Sequence, residues 1–229
     1  MKRTITNQHF IGEVLIPHYQ NVLRPIFDQL ALKCGSVQTT SVFYNYIYGF
    51  DITIPTIKTN NLWYKISLIN AGYTWHPAMP NDHQRRQFYA SPKYFYAIDG
   101  LSLNVGRINK CKDFEELYDY VDSVFKSGGI HHAYLSIYDT AYRIGFNLTP
   151  QILPHKYVYL NAGAYNGAEN LYGKSWILKN EDKKFVNREH TKYRSSRVKT
   201  TKFKQKFGSL DSIGIESLLC IIFQNNKIK

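Results

Sequence analysis

The sequence predicts a mainly α fold, with room for one small β element at 41–68, built around a helix, a glycine hairpin and a second helix. Three observations carry this. In KDFEELYDYVDSVFKSGG, residues 112–129, the apolar positions Phe114, Leu117, Tyr118, Val121 and Phe125 fall on one helical face. Gly128 and Gly129 then supply the left-handed conformations that stop a helix and reverse the chain. Beyond them Tyr134, Ile137, Ala141 and Ile144 form a second stripe at i, i+3, i+7 and i+10.

In chain order, PHYQNVLRPIFDQLALK, residues 17–33, spaces its apolar residues for a helix with a kink or restart at Pro25. Residues 41–68 are dense in β-branched and aromatic side chains between short turn signals and read as a strand pair or as short helices. Residues 72–100 are rich in proline and turn formers, a surface connection carrying Arg85 and Arg86. Asp113 is a good N-cap with Glu116 three residues on, the capping-box pattern, and the helix it opens ends near Lys126. The second helix stops at Gly145. A proline-bounded loop leads to KYVYLNAGAYNGAENLYG, where Gly163 and Gly167 permit close packing or a loop, and SLDSIGIESLLCIIF reads as a final buried helix. The organisation is an N-terminal region over 1–110 and a second region over 111–229, either separate or continuous.

With 44% hydrophobic and 15% aromatic residues, 229 positions suffice for a buried core. No apolar run approaches eighteen residues and no signal-peptide block follows Met1, so the expectation is a soluble, cytoplasmic protein with no membrane partner. Cys34, Cys111 and Cys220 are odd in number and far apart, fitting neither a disulfide framework nor a zinc site. Phosphate-loop, zincin and nucleophile-elbow motifs are absent, which lowers the weight of NTPases, zincins and common hydrolases. No metal and no cofactor is expected.

The net charge is +12, and residues 183–206, KKFVNREHTKYRSSRVKTTKFKQK, hold ten Lys or Arg against the single acid Glu189, which is +9 of that total. Lys183, Lys184, Arg188, Lys192, Arg194 and Arg197, interleaved with Phe185, Tyr193 and Phe203, suit a polyanion. The alternative is a solvated basic loop. A glycine hairpin before a helix offers a second contact, because the first N–H groups of that helix lack intrahelical partners and its dipole favours an anion. Gly128, Gly129, His131, His132 and Arg143 are the candidate contacts to a duplex DNA phosphate backbone.

GGIHHAYLSIYDTAYRIG, followed by a loop and KYVYLNAGAYNGAENLYG, resembles the core of the helix–hairpin–helix DNA glycosylases, which share the 8-oxoguanine glycosylase fold. The similarity covers about residues 113–173 and is greater to a divergent bacterial branch, on Tyr138, Asp139, Thr140, Ala141, Arg143, Ile144 and Gly145, then Val158, Tyr159, Leu160, Ala162 and Gly163. It implies a glycosylase-like helical domain and hydrolysis of the N-glycosidic bond of a damaged or modified base. The departures from the family pattern are specific. His131 stands where the hairpin's second glycine is usual, Ala133 where bifunctional members carry a nucleophilic lysine, and Tyr159 where the family has its catalytic aspartate.

Excision needs a carboxylate to activate water or to stabilise positive charge on the sugar, and Asp139 is the nearest acid. It stands at i to Arg143 at i+4, so an ordinary helix ion pair of about 0.3–0.5 kcal/mol explains both residues as well. The two histidines suit phosphate contact or proton transfer, and equally a solvated helix start. Trp63, Trp75 and Trp176 could stack on an extruded base or belong to the core, and none is assigned. Two other readings stay open: a non-catalytic nucleic-acid-binding module, and a metal-dependent restriction or defence nuclease. DNA against RNA, the lesion and the oligomeric state stay open too.

Overall fold

The computed structural model describes residues 11–25, 97, 100–101, 104–185 and 195–225. They are mainly helical, with one two-stranded antiparallel sheet. The expected strand pair at 41–68 lies outside the described residues. The β element that is seen lies elsewhere, at 157–161 and 195–199. The chain divides into two compact units, one formed by Met1–Pro25 with Pro154–Lys229, the other by Ile26–Leu153.

In the Ile26–Leu153 unit a short helix α2 (Val105–Ile108) precedes α3 (Phe114–Ser127) and α4 (Tyr134–Asn147). The capping residues act largely as the sequence implies. The Asp113 carboxylate accepts from the Glu116 amide at 2.8 Å, and the Glu116 carboxylate accepts in return from the Lys112 amide at 3.0 Å, one residue before the usual capping-box donor. Phe114, Leu117, Tyr118, Val121 and Phe125 are buried, as their spacing requires. Phe114 meets Tyr138 of α4 edge-on at 5.9 Å, and Tyr138, Tyr142 and Phe146 continue as a ladder of rings one turn apart. Gly145 does not end α4, which runs on to Asn147. Its value is steric: a Cβ there would sit 2.0 Å from the Ile152 carbonyl oxygen, and the Ile152 amide donates to the Gly145 carbonyl at 2.9 Å.

In the other unit helical turns at Ile11–Leu15, α1 (Ile16–His18) and Tyr19–Leu23 cover the start of the expected 17–33 helix, with Tyr19 buried; residues 26–33 lie outside the described residues. β1 (Tyr157–Asn161) leads directly into α5 (Ala162–Tyr172) and α6 (Lys174–Asn180), and β2 (Ser195–Lys199) leads through a 3-10 turn at Thr200–Lys202 to α7 (Lys204–Phe207) and α8 (Ser212–Asn225). The strands pair in the register Tyr157↔Lys199, Tyr159↔Arg197 and Asn161↔Ser195. α8 is the buried final helix, with Ser212 to Leu219 all inaccessible, and it packs on α5 and β1. Gly163 and Gly167, four apart on α5, make that approach close: a Cβ on Gly167 would lie 1.9 Å from the Leu219 carbonyl oxygen. Tyr172 stacks on Trp176 at 4.2 Å, and buried Phe203 closes on both, so half-buried Trp176 belongs to an aromatic cluster.

Gly167→Ala therefore forces α5 from α8 and is expected to destabilise by about 1–3 kcal/mol. Gly106→Ala in α2, where a Cβ meets nothing within 4 Å, is expected to be neutral or to stabilise by up to about 1 kcal/mol. Urea denaturation midpoints of the two variants check the contrast.

Candidate nucleic-acid interface

The hairpin between α3 and α4 is built by a specific stop signal. The Gly129 amide donates to the Lys126 carbonyl at 2.9 Å and the Ile130 amide to the Phe125 carbonyl at 2.9 Å, the paired bonds of a Schellman cap. Gly129 has φ +74°, the left-handed residue this cap needs, and Ile130 and Phe125, the positions of the hydrophobic pair that accompanies such a cap, are both buried. Gly128, at φ −78°, is not left-handed; the second such residue is His132, at φ +63°. The expectation of two left-handed glycines is thus met at Gly129 and contradicted at Gly128. His131 is exposed, and half-buried His132 places Nδ1 3.4 Å from the Tyr134 hydroxyl.

α4 starts differently from α3. Its N-cap is Ala133, whose methyl group offers no acceptor to the first-turn amides of this fourteen-residue helix. Asp139 and Arg143 both lie on α4, four residues apart; their side chains lie outside the described residues. The helix around them is buried: Ser136, Ile137, Tyr138, Thr140, Ala141, Tyr142 and Ile144 are all inaccessible.

The basic stretch is not one loop. Its 195–206 part is folded as β2, the 3-10 turn and the start of α7, while Arg188, Lys192 and Arg194 lie outside the described residues. Arg197 sits inside the fold, its side chain 12% exposed. Nε donates to the Asp182 carboxylate at 2.9 Å, and the guanidinium lies between the rings of Tyr157 at 4.7 Å and Phe185 at 4.8 Å. Burial opposes its charge, yet neighbouring Tyr159 and Asp182 outweigh burial and push the Arg197 pKa upward. Burial would likewise raise Asp182, but Arg197 and the Lys184 amide hold its carboxyl below the ordinary range. Lys183 is partly engaged, donating to the Glu181 carboxylate at 3.0 Å and the Leu178 carbonyl at 2.6 Å, with Lys184 exposed beside it. Tyr159 is fully buried at the centre of β1, opposite Arg197.

Sequence reasoning counted Lys199 and Lys204 in the basic stretch without singling them out, and gave Lys156 no role. Lys156 is forty-three residues from Lys199, and only the strand pairing that sets Tyr157 against Lys199 unites them. Among the described residues no group of three His, Cys, Asp or Glu could hold a metal ion, neither Cys111 nor Cys220 forms a disulfide, and no helix is long and apolar enough to cross a membrane.

Arg197→Ala, which strands the Asp182 carboxylate, is expected to lower stability by about 1–3 kcal/mol, between the values of exposed and buried pairs, and Arg197→Lys to recover only part of it. Because the folded-state pKa of Asp182 is depressed, its contribution is complete above its unfolded value near pH ~4 and is lost as pH falls through the folded value. Asp182→Asn should therefore destabilise at pH 7 and flatten the acid limb of a stability–pH curve. Compared with known proteins, the chain matches no family model, no curated protein and no solved structure.

Proposed function

We propose that this chain binds duplex DNA, with the hairpin over 128–133 gripping a backbone phosphate and the basic surface around Lys183 and Lys184 adding affinity that does not depend on sequence. The observation that carries the reading is the start of α4. Backbone N–H groups at the head of a fourteen-residue helix whose N-cap is an alanine, preceded by left-handed Gly129 and His132, suit an oxyanion. Exposed His131 stands beside them to supplement the amides.

Base excision is the activity that the resemblance implies, and in this chain it rests on Asp139. Tyr159, at the position of the family aspartate, is a phenol enclosed in a strand, and Ala133 carries no amine to form a Schiff base. A carboxylate must then come from elsewhere, and Asp139 lies on the helix that the hairpin opens. The same two residues favour the second reading, a non-catalytic DNA-binding module.

Duplexes carrying single damaged or unmodified bases, incubated with the protein in EDTA and then treated with alkali, separate the two. Excision by the wild type that Asp139→Asn abolishes, with binding retained, is the expected result for a glycosylase; excision undiminished in Asp139→Asn removes Asp139 from the chemistry. Binding without alkali-labile sites assigns the binding module, and strand cleavage that needs a divalent metal assigns a nuclease. In salt titrations Lys183→Gln with Lys184→Gln should reduce the slope of log affinity against log salt by up to about 0.9 for each phosphate left unneutralised.

A further inference from the structure

A cleft of about 470 Å³ lies in the unit formed by Met1–Pro25 and Pro154–Lys229, between the end of β2, α7 and the start of α8. Its size falls in the ~300–1,000 Å³ range of ligand sites. Lys156, Lys199 and Lys204 line it, all exposed, with the hydroxyl side chains of Thr201 and Ser209. The one carboxylate on the lining, Asp211, is engaged twice: Oδ2 pairs with Arg24, and Oδ1 accepts from the Gly214 amide at 2.8 Å. No ion pair joins any of the three lysines to a carboxylate among the described residues.

The fold imposes this convergence. The Thr200 amide donates to the Lys156 carbonyl at 3.0 Å, the Thr200 hydroxyl to the His155 carbonyl at 2.9 Å, and Thr200 and Ser212 share a 2.7 Å hydroxyl contact beneath. These bonds pin the 155–156 backbone to 199–200, and Lys204 opens α7 four residues later. Like charges held together repel, and an anion relieves that repulsion. Ammonium groups as point charges, flanked by rotatable hydroxyl donors, match a phosphate rather than a planar carboxylate that a guanidinium would fork.

We propose that this cleft is a phosphate-binding site, separate from the hairpin, for either a nucleic-acid backbone phosphate or the phosphate group of a small molecule. The test compares full-length wild type with Lys156→Gln/Lys199→Gln/Lys204→Gln and with Lys112→Gln/Lys174→Gln/Lys179→Gln, which removes the same charge from exposed positions elsewhere. Thermal midpoints confirm that both variants fold. Inorganic pyrophosphate binding is followed by calorimetry, and duplex binding by the slope of log affinity against log salt. The cleft variant is expected to lose at least tenfold in pyrophosphate affinity, while the charge-matched variant stays within about twofold. If a nucleic acid supplies the phosphate, the duplex slope also falls by up to about 0.9 for each phosphate no longer neutralised, for the cleft variant alone. If the phosphate belongs to a small molecule, pyrophosphate binding falls and the duplex slope matches the control. Pyrophosphate binding that needs the cleft in a protein without duplex affinity sustains the site and removes the DNA reading. Duplex binding with both variants alike on both probes removes the site and leaves the DNA reading standing; a wild type that binds neither probe overturns both.

Discussion

The register of β1 against β2 is the constraint on which most of the Met1–Pro25 and Pro154–Lys229 unit depends. Side chains alternate faces along a strand, so a slip of one residue would exchange every inward position for an outward one. In the observed register Val158 meets Val198, both fully buried, and Tyr159 stands opposite Arg197. Arg197 in turn reaches Asp182, whose amide donates to the Arg197 carbonyl at 2.8 Å. Glu181 bridges to Val198, so the end of α6 is tied to β2 from the other side. One strand pairing thus fixes a charge pair, an aromatic sandwich and the boundary of α6 together.

The same register explains a division of labour within the basic stretch. Arg197 has a stacked, hydrogen-bonded place that only a planar guanidinium fills, so its charge serves the fold. Lys199, two residues on and therefore on the same face, pairs with Tyr157 and is exposed. Composition counts both as equal positive charges. Geometry separates a buried, paired cation from an exposed one.

How much was legible in the sequence follows from how local each signal is. Asp113, Glu116 and the apolar face of α3 lie within a few turns of one another, and the helix they specify is observed between Phe114 and Ser127. Likewise the mostly apolar stretch from Ile213 to Phe223 announced α8, because a largely buried helix needs little periodicity to be recognised. β2 was hidden because SSRVK carries two cations and two serines, and its strand character comes from pairing with β1 rather than from propensity. Gly145 looked like a helix stop, yet its conformation is helical and its purpose is the nearby Ile152 carbonyl, a tertiary fact. His132 gave no warning of a positive φ, since histidine has only a modest tendency toward that region. For Asp139, sequence placed the residue on a helix and the helix is observed, while its chemistry is a matter for experiment.

The discontinuous make-up of that unit has a consequence for how the chain is made. Tyr19 lies against Gly214, and Arg24 pairs with Asp211, so the first helical turns complete a core whose other half is encoded some 190 residues later. At about 5–20 residues per second, a ribosome takes ~10–40 s to cover that distance. During that interval Ile11, Leu15 and Tyr19, all buried in the finished fold, have no native partner to cover them. The Ile26–Leu153 unit has its whole sequence available first, and closure of the other waits on the last helix. A truncation that removes α8 would therefore expose the apolar surface of α5 and β1 together with that of the Ile11–Tyr19 turns, a pattern that chaperones and proteases are equipped to detect.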